Sequence, residues 1–258
     1  MKKSIFLILF SLLSINIQAQ KKMITPPYLK KGDTIAIVAT ARKNIDDNLK
    51  PAISWLKNWG IEVVIGSTIG LDNNQLAGTD EQRAADFQAQ LDNPNIKAIW
   101  CVRGGYGTVR MIDLLDFTKF KQSPKWIVGF SDVTVLHSHL NTMGYQSIHG
   151  IMPVSSKASE DAKETLRKAL FGEHLEYTVP CENMNRFGTA KGELVGGNLS
   201  ILYSLFGSPS AIDCSDKILF IEDLDEYLYH IDRMMMNLKR NGCLESLKGI
   251  IVGGMTKM

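Results

Sequence analysis

An apolar run, Trp126-Ile127-Val128-Gly129-Phe130, leads straight into Ser131-Asp132, and helical spacing resumes at once. That order sets a hydroxyl on a tight turn at the carboxyl edge of a sheet. It also sets the oxygen against the amides of a helix N-terminus, which favour developing negative charge. An acyl-transferring serine needs such a placement. The Gly-x-Ser-x-Gly elbow is broken, because Val133 stands where its last glycine would be. The same residues also read as an ordinary Ser or Asp helix cap, the commoner occurrence of such a fragment.

Two further segments could do chemistry beside it. Arg103-Gly104-Gly105-Tyr106-Gly107 follows an apolar strand and precedes a helix, where backbone amides can cradle an anion. As a dinucleotide fingerprint it fails, because Arg110 occupies the third glycine position. The first strand leads into Ala39-Thr40-Ala41-Arg42, which contains no glycine, so a nucleotide-binding Rossmann enzyme ranks low. An oxyanion-hole loop suits the sequence better, with Arg103 available to a substrate carboxylate. A tight turn with a surface arginine is the plainer alternative. The other segment is Leu219-Phe220-Ile221-Glu222-Asp223. Glu222 is expected just past the strand, at the carboxyl end where α/β folds place functional groups, and there it could orient a histidine. Asp223, Asp225 and Glu226 also allow it to be the acidic start of the next helix.

No histidine has a compelling claim to be the base. The five are His137, His139, His149, His174 and His230. His137 and His139 are two apart on a helix and point to different faces. His149 follows a strand-like Gln146-Ser147-Ile148 and could lie near the Ser131 edge, although such a residue is more often a structural hydrogen-bonder. His230 sits on a helix after Glu222.

The elements that must position these groups alternate. Thr34 to Ala39 is a continuous apolar strand, of the kind buried on both faces of a parallel sheet. Strands are also expected over 61–65, 96–102 and 126–130, with helices over 46–59, from Thr79, over 108–115 and over 132–143. This alternation reads as a parallel α/β sheet. The pattern changes near Pro153. A charged helix over 159–171 and a connection over 173–191 with little core come next. A second unit begins at Gly192, with a helix over 199–206, a strand over 217–221, a helix over 227–240 and a strand over 249–252. Tyr227, Ile231, Met234 and Leu238 share one helix face, expected to be core.

The 258 residues are 45% apolar and 22% charged, ordinary for a globular protein. A net charge of +2, without a basic cluster interleaved with aromatics, sets nucleic acid aside as a partner. Lys2-Lys3, an apolar run from Ile5 to Leu13 and a small residue at Ala19 read as a secretory signal, cut after Ala19. The run is too short to span a bilayer comfortably, so no stable membrane insertion is expected after cleavage. The spacings of Cys101, Cys181, Cys214 and Cys243 match no zinc pattern, and no metal site is expected. Cys101, in an apolar strand, is expected to be a buried thiol. Export would permit disulfides among the cysteines.

Taken in order, these segments resemble the LD-carboxypeptidase family, which includes the microcin-immunity serine peptidases. The matching pieces are Pro-Pro-Tyr-Leu-Lys-Lys-Gly-Asp-Thr-Ile-Ala-Ile-Val-Ala from Pro26, the Arg103 to Gly107 loop and the Gly129 to Asp132 turn. Ile148-His149-Gly150, Gly196-Gly197-Asn198-Leu199, Ile221-Glu222-Asp223 and the helix carrying Asp232-Arg233 complete them. The resemblance implies a Rossmann-like parallel-sheet N-terminal domain and a smaller β-rich α/β C-terminal domain, incomplete here, with the cleft between them. The expected organisation is a signal at 1–19, a nucleophile domain over 24–155, a linker over 156–190 and a partial C-terminal domain over 191–258.

The resemblance further implies a Ser-His-Glu triad, with Ser131 as nucleophile and Glu222 as orienting acid. The amides of Asp132 and of Gly104 or Gly105 would form the oxyanion hole, and Arg103 and Asn198 complete the expected substrate-binding set. The family's histidine comes from a segment beyond the 249–254 strand, so it is expected past Met258 and the 258-residue form is expected to be inactive. The implied reaction releases a terminal D-amino acid, typically D-Ala, from murein tetrapeptides by acyl-enzyme chemistry, without a cofactor, in an exported, periplasmic homodimer. A peptide–nucleotide antibiotic or another small conjugate as substrate, or muropeptide binding without cleavage, are the alternatives.

Overall fold

The computed structural model describes residues 23–44, 49–155, 157–180 and 185–258. The expected signal, Cys181 and the start of the helix expected from Asp46 lie outside these residues. Among the described residues, no helix is long and apolar enough to cross a membrane.

The first unit is a five-stranded parallel sheet of β1 (Thr34–Val38), β2 (Glu62–Ile65), β3 (Ile96–Cys101), β4 (Trp126–Gly129) and β5 (Ile148–His149), in the order β2-β1-β3-β4-β5. The continuous apolar character of β1 has its expected cause. Ala36 and Val38 pack with Phe87, Ile99 and Leu136 on one face, while Ile35 and Ile37 pack with Leu56, Trp100 and Leu166 on the other. The covering helices are α1 (Lys50–Asn58), α2 (Asp80–Asp92), α3 (Thr108–Met111), α4 (Thr118–Gln122), α5 (Thr134–Met143) and α6 (Glu160–Phe171). Thr79 opens α2 with a capping box completed by Gln82. Chain direction across the sheet switches between β1 and β3, where doubly wound folds open a crevice at the strands' carboxyl ends.

The second unit is a three-stranded parallel sheet of β6 (Leu194–Asn198), β7 (Ile218–Leu224) and β8 (Gly249–Thr256), in that order. It is covered by α7 (Leu199–Leu205) and α8 (Leu228–Arg240). Val195, Leu219, Ile221, Met234 and Leu238 form its core, beside a Cys214–Cys243 disulfide. Cys101 is a buried free thiol, pushed up to about 12 by that burial.

Several expected boundaries move. The helix expected over 108–115 is one α-turn followed by a 3-10 turn, Ile112–Leu114, and α4 lies in a segment with no expected element. The segment from Leu194 to Asn198 is a strand despite Gly196-Gly197, because the glycines permit its packing. A Cβ at Gly196 would lie 1.8 Å from the Phe220 carbonyl oxygen, and one at Gly197 would lie 2.7 Å from Thr134 Oγ1. The strand expected to end at Ile221 runs to Leu224, so Glu222 lies within it and not after it. The strand expected to end at Val252 runs through Gly253-Gly254-Met255 to Thr256. Tyr227 leaves the core stripe: it precedes the first turn of α8 and is 73% exposed, while Met234 and Leu238 are buried.

Candidate active site

β4 ends at Gly129, Phe130 is extended, and Ser131 opens a 3-10 turn into α5. Ser131 has φ 60°, a left-handed conformation that costs a side chain-bearing residue about 1–2 kcal/mol. Strain of this kind persists where surrounding packing fixes it, and it turns the hydroxyl out of the strand into the crevice. The glycine loop arrives from β3. A Cβ at Gly104 would lie 3.0 Å from Ser131 Cβ, 3.1 Å from Ser131 Oγ and 3.3 Å from the amide nitrogen of Asp132. A side chain here would press on the serine, and glycine leaves the loop backbone room to pass this close to the hydroxyl. Gly105 has φ 120°, and its Cβ would meet Arg42 Cβ at 2.8 Å. Thus a hydroxyl, the amide of residue 132 and the loop backbone surround one small space.

Asp132 also contributes its side chain. The carboxylate is buried, its Oδ2 accepts from the Thr108 amide at 2.9 Å, and its Oδ1 has no partner. Burial pushes the acid upward, against the pull of the Thr108 hydrogen bonds and the Arg83 charge. Arg103 donates to the Lys43 carbonyl at 3.2 Å and so ties the glycine loop to the segment after β1.

Glu222 comes from the other sheet. It pairs in register with Asn198 on β6, and the Asn198 amide nitrogen donates to Thr134 Oγ1 of α5 at 3.1 Å. Since α5 continues from the Ser131 turn, this seam sets β6, and β7 paired with it, beside the element that carries the serine. The Glu222 side chain is 18% exposed, and its buried Oε1 has no hydrogen-bond partner. Burial, reinforced by the neighbouring Asp223 charge, raises the acid to about 7, with the Asn198 side chain pulling the other way. Asn198 itself caps α7 through Ile201 and donates to Asp223 Oδ1 at 2.9 Å.

The structure brings His149 closer to this chemistry than its sequence context suggests. β5 pairs with β4 so that His149 lies opposite Gly129, and its Nε2 is 3.9 Å from Glu222 Oε1. Phe220 and Phe130 flank the ring at 5.4 and 6.1 Å between centroids. Burial lowers His149 to about 4, so between about pH 4 and 7 the imidazole and Glu222 face each other as neutral groups. Among the described residues, no hydrogen bond reaches the Ser131 hydroxyl. His137 is structural: its ring nitrogens bond Ser147 Oγ and the Gly129 carbonyl, both at 2.8 Å. His139 bonds Ser210 Oγ, His230 bonds Glu226, and His174 is exposed. A cavity of about 830 Å³ is lined by His149, Trp126, Tyr145, Leu194 and Phe220 but not by Ser131 or Glu222.

Sequence reasoning missed Arg83, Thr108 and Thr134. Arg83 had a signal: it shares a helical stripe with Phe87 and Leu91, so a charge sits on a face that is otherwise apolar, and all three are buried. A hydroxyl, converging amides and a carboxylate across a crevice can activate and stabilise acyl transfer.

The profile of the LD-carboxypeptidase N-terminal domain matches residues 35–150, and that of the C-terminal domain matches residues 191–258. A probable murein peptide carboxypeptidase of Bacillus subtilis is 39% identical over 236 residues, 88% of this chain and 73% of that protein. The muramoyltetrapeptide carboxypeptidase structure from Oxalobacter formigenes superposes with a TM-score of 0.75 at 30% identity, covering 87% of this chain and 78% of that one. An MccF-like protein from Bacillus anthracis shares the fold, with a TM-score of 0.80 at 24% identity over 91% and 81% of the two chains. With both domains matched in order, the chain belongs to the LD-carboxypeptidase family and is a peptidase of that type.

Proposed function

We propose that this protein is an exported serine LD-carboxypeptidase that releases D-Ala from murein tetrapeptides, with Ser131 as nucleophile and Glu222 as the acid that orients its base. The observation carrying this reading is the left-handed Ser131 turn with Gly104 closing over it. The serine attacks the amide carbonyl, the amides of Asp132 and the Gly104-Gly105 loop receive the negative oxygen, and water hydrolyses the acyl-enzyme. The base that takes the serine proton is an imidazole, held in orientation by Glu222. Arg103 and Asn198 border the substrate, and the enzyme works in the periplasm as a homodimer. Murein peptide is preferred over a peptide–nucleotide conjugate because the 39% identical relative bears a murein peptide carboxypeptidase name.

A second assignment of the base has its own support: His149 already stands 3.9 Å from Glu222. Fluorophosphonate labelling and D-Ala release by the complete gene product test both. Ser131→Ala is expected to abolish label and turnover, and full turnover by that variant would reject the serine. Loss of labelling in His149→Ala would move the base to His149.

A further inference from the structure

The far end of the glycine loop is held by two buried charged side chains: Asp132 ties it to the Ser131 turn, and Arg83 ties it to the segment after β1. Thr108, the first residue after the loop, donates its amide to Asp132 Oδ2 at 2.9 Å. Arg83 Nη1 donates to the carbonyl of Gly107 at 2.8 Å and to that of Thr40 at 2.7 Å. Thr108 and Thr40 are themselves joined through their hydroxyls at 3.0 Å. Arg83, Thr40 and Thr108 are inaccessible to solvent and Asp132 nearly so. Asp80 pairs with Arg83 from the preceding helical turn and is held in turn by Arg110 at 2.7 Å. A Cβ at Gly107 would come within 2.6 Å of Arg83 Nη1, so the loop is shaped around the guanidinium.

We propose that the Asp132 carboxylate and the Arg83 guanidinium are positioning residues, Asp132 locking the glycine loop against the nucleophile turn and Arg83 bracing that loop from the segment after β1, so that the two backbone faces of the oxyanion hole stay fixed relative to each other. The inference rests on the serine reading of the site. Packing alone does not account for the pair. Arg83 Nε and Asp132 Oδ1 are buried without partners, a cost that an apolar residue at either place would not incur. The two Arg83 Nη1 bonds end on the segments that follow β1 and β3, the two that border the crevice. The loop has little side chain of its own to hold it, since three of its five residues are glycine. Misplacing an oxyanion donor by about 1 Å costs about a hundredfold in rate while leaving substrate binding largely intact.

The test uses the complete gene product and four variants: Asp132→Ala, Asp132→Asn, Arg83→Met and Arg83→Lys. Measured are kcat and KM for D-Ala release, fluorophosphonate labelling of Ser131, thermal midpoint and amide exchange of segment 103–110. Asp132→Ala and Arg83→Met are expected to lose about a hundredfold in kcat with KM within about threefold, and to exchange faster in that segment alone. Asp132→Asn keeps an acceptor for the Thr108 amide and is expected to recover most of kcat. Arg83→Lys, whose single ammonium fits two carbonyls poorly, is expected to fall between and decides the matter if the larger changes prevent folding. Wild-type kcat in Asp132→Ala, or in a folded Arg83→Lys with unchanged exchange, overturns the inference while leaving the serine reading intact. Exchange rising throughout the chain, with kcat per folded molecule unchanged, also overturns it. Full turnover in Ser131→Ala removes the reading of the site itself, and the positioning role with it.

Discussion

Replacing Glu222 by Gln is expected to stabilise the fold above neutral pH while removing turnover. The unfolded chain releases the Glu222 proton near the ordinary 4.5, whereas burial holds it in the folded chain until about 7. Between those values the folded state retains a proton that the unfolded state has lost. Stability therefore falls as pH rises through the window, and the whole penalty is present above about 7. At about 1.36 kcal/mol per pH unit, the displacement from 4.5 to about 7 bounds the penalty near 3 kcal/mol. The side chain is still 18% exposed, so solvent screening reduces this to about 1–2 kcal/mol. Glutamine keeps the shape and never ionises. Urea unfolding of both proteins from about pH 4.5 to 8.5 should show a difference near zero at the acid end, growing to about 1–2 kcal/mol at the alkaline end. His149 contributes the opposite slope, because burial lowers it to about 4 and its share of stability is lost as pH falls through that value. His149 stands 3.9 Å from Glu222 and couples to it, so the comparison is read above about pH 7, where the imidazole is neutral in both the folded and the unfolded chain. A gap that ignores pH, or a less stable variant at pH 8.5, would refute the reasoning. In the proposed mechanism turnover requires the Glu222 carboxylate, so kcat/KM of the wild-type protein should fall below about pH 7, and the variant should lose on the order of 10³–10⁴-fold.

Three further outcomes follow from the same geometry. Ser131→Gly and Ser131→Ala should both lose turnover, but the glycine variant should be more stable by about 1 kcal/mol, because φ 60° strains a residue with a Cβ and not glycine; equal urea midpoints would deny the strain. His149→Gln in the complete protein should keep turnover within about tenfold, whereas removal of a base costs on the order of 10⁴-fold, so a loss of that size in kcat would make His149 the base. Replacing Cys214 and Cys243 by Ser opens a closure of 29 residues and should cost about 2–4 kcal/mol in chemical unfolding; an unchanged midpoint would mean the thiols are not joined in solution.

The elements legible in the sequence are those whose signal is local. Thr34 to Val38 reads as a buried strand because both its faces meet apolar helices, and Thr79-Asp80-Glu81 announces the start of α2. Ser131 was legible for a similar reason, as a polar residue terminating an apolar run. What remained hidden depended on partners distant in the chain. Gly196-Gly197 weakens any strand signal, and its justification is the backbone of Phe220 and the side chain of Thr134. Glu222 looked like a strand terminus because apolar character stops at Ile221, yet pairing with Asn198 and the following β8 contacts carry the strand on to Leu224. His149 could not be ranked among five histidines without the register that sets it opposite Gly129.

The proposed site draws on both units. Ser131 and its amides belong to the large sheet and Glu222 to the small one, joined through the Asn198 amide on Thr134. His149 and Phe220 meet across the same seam and help bury the Glu222 carboxyl. Closing the seam therefore works against ionisation of the acid that the base requires. A positive charge placed between the serine and Glu222 reverses that preference, since an adjacent cation pulls a buried carboxyl back down. In the proposed mechanism such a charge forms as the imidazole takes the Ser131 proton. Glu222 then interacts more strongly with the transition state than with the resting enzyme, and only that difference accelerates the reaction. The burial that weakens Glu222 as a free acid is the same burial that strengthens its hold on an imidazolium, so the cost in stability and the gain in rate have one origin.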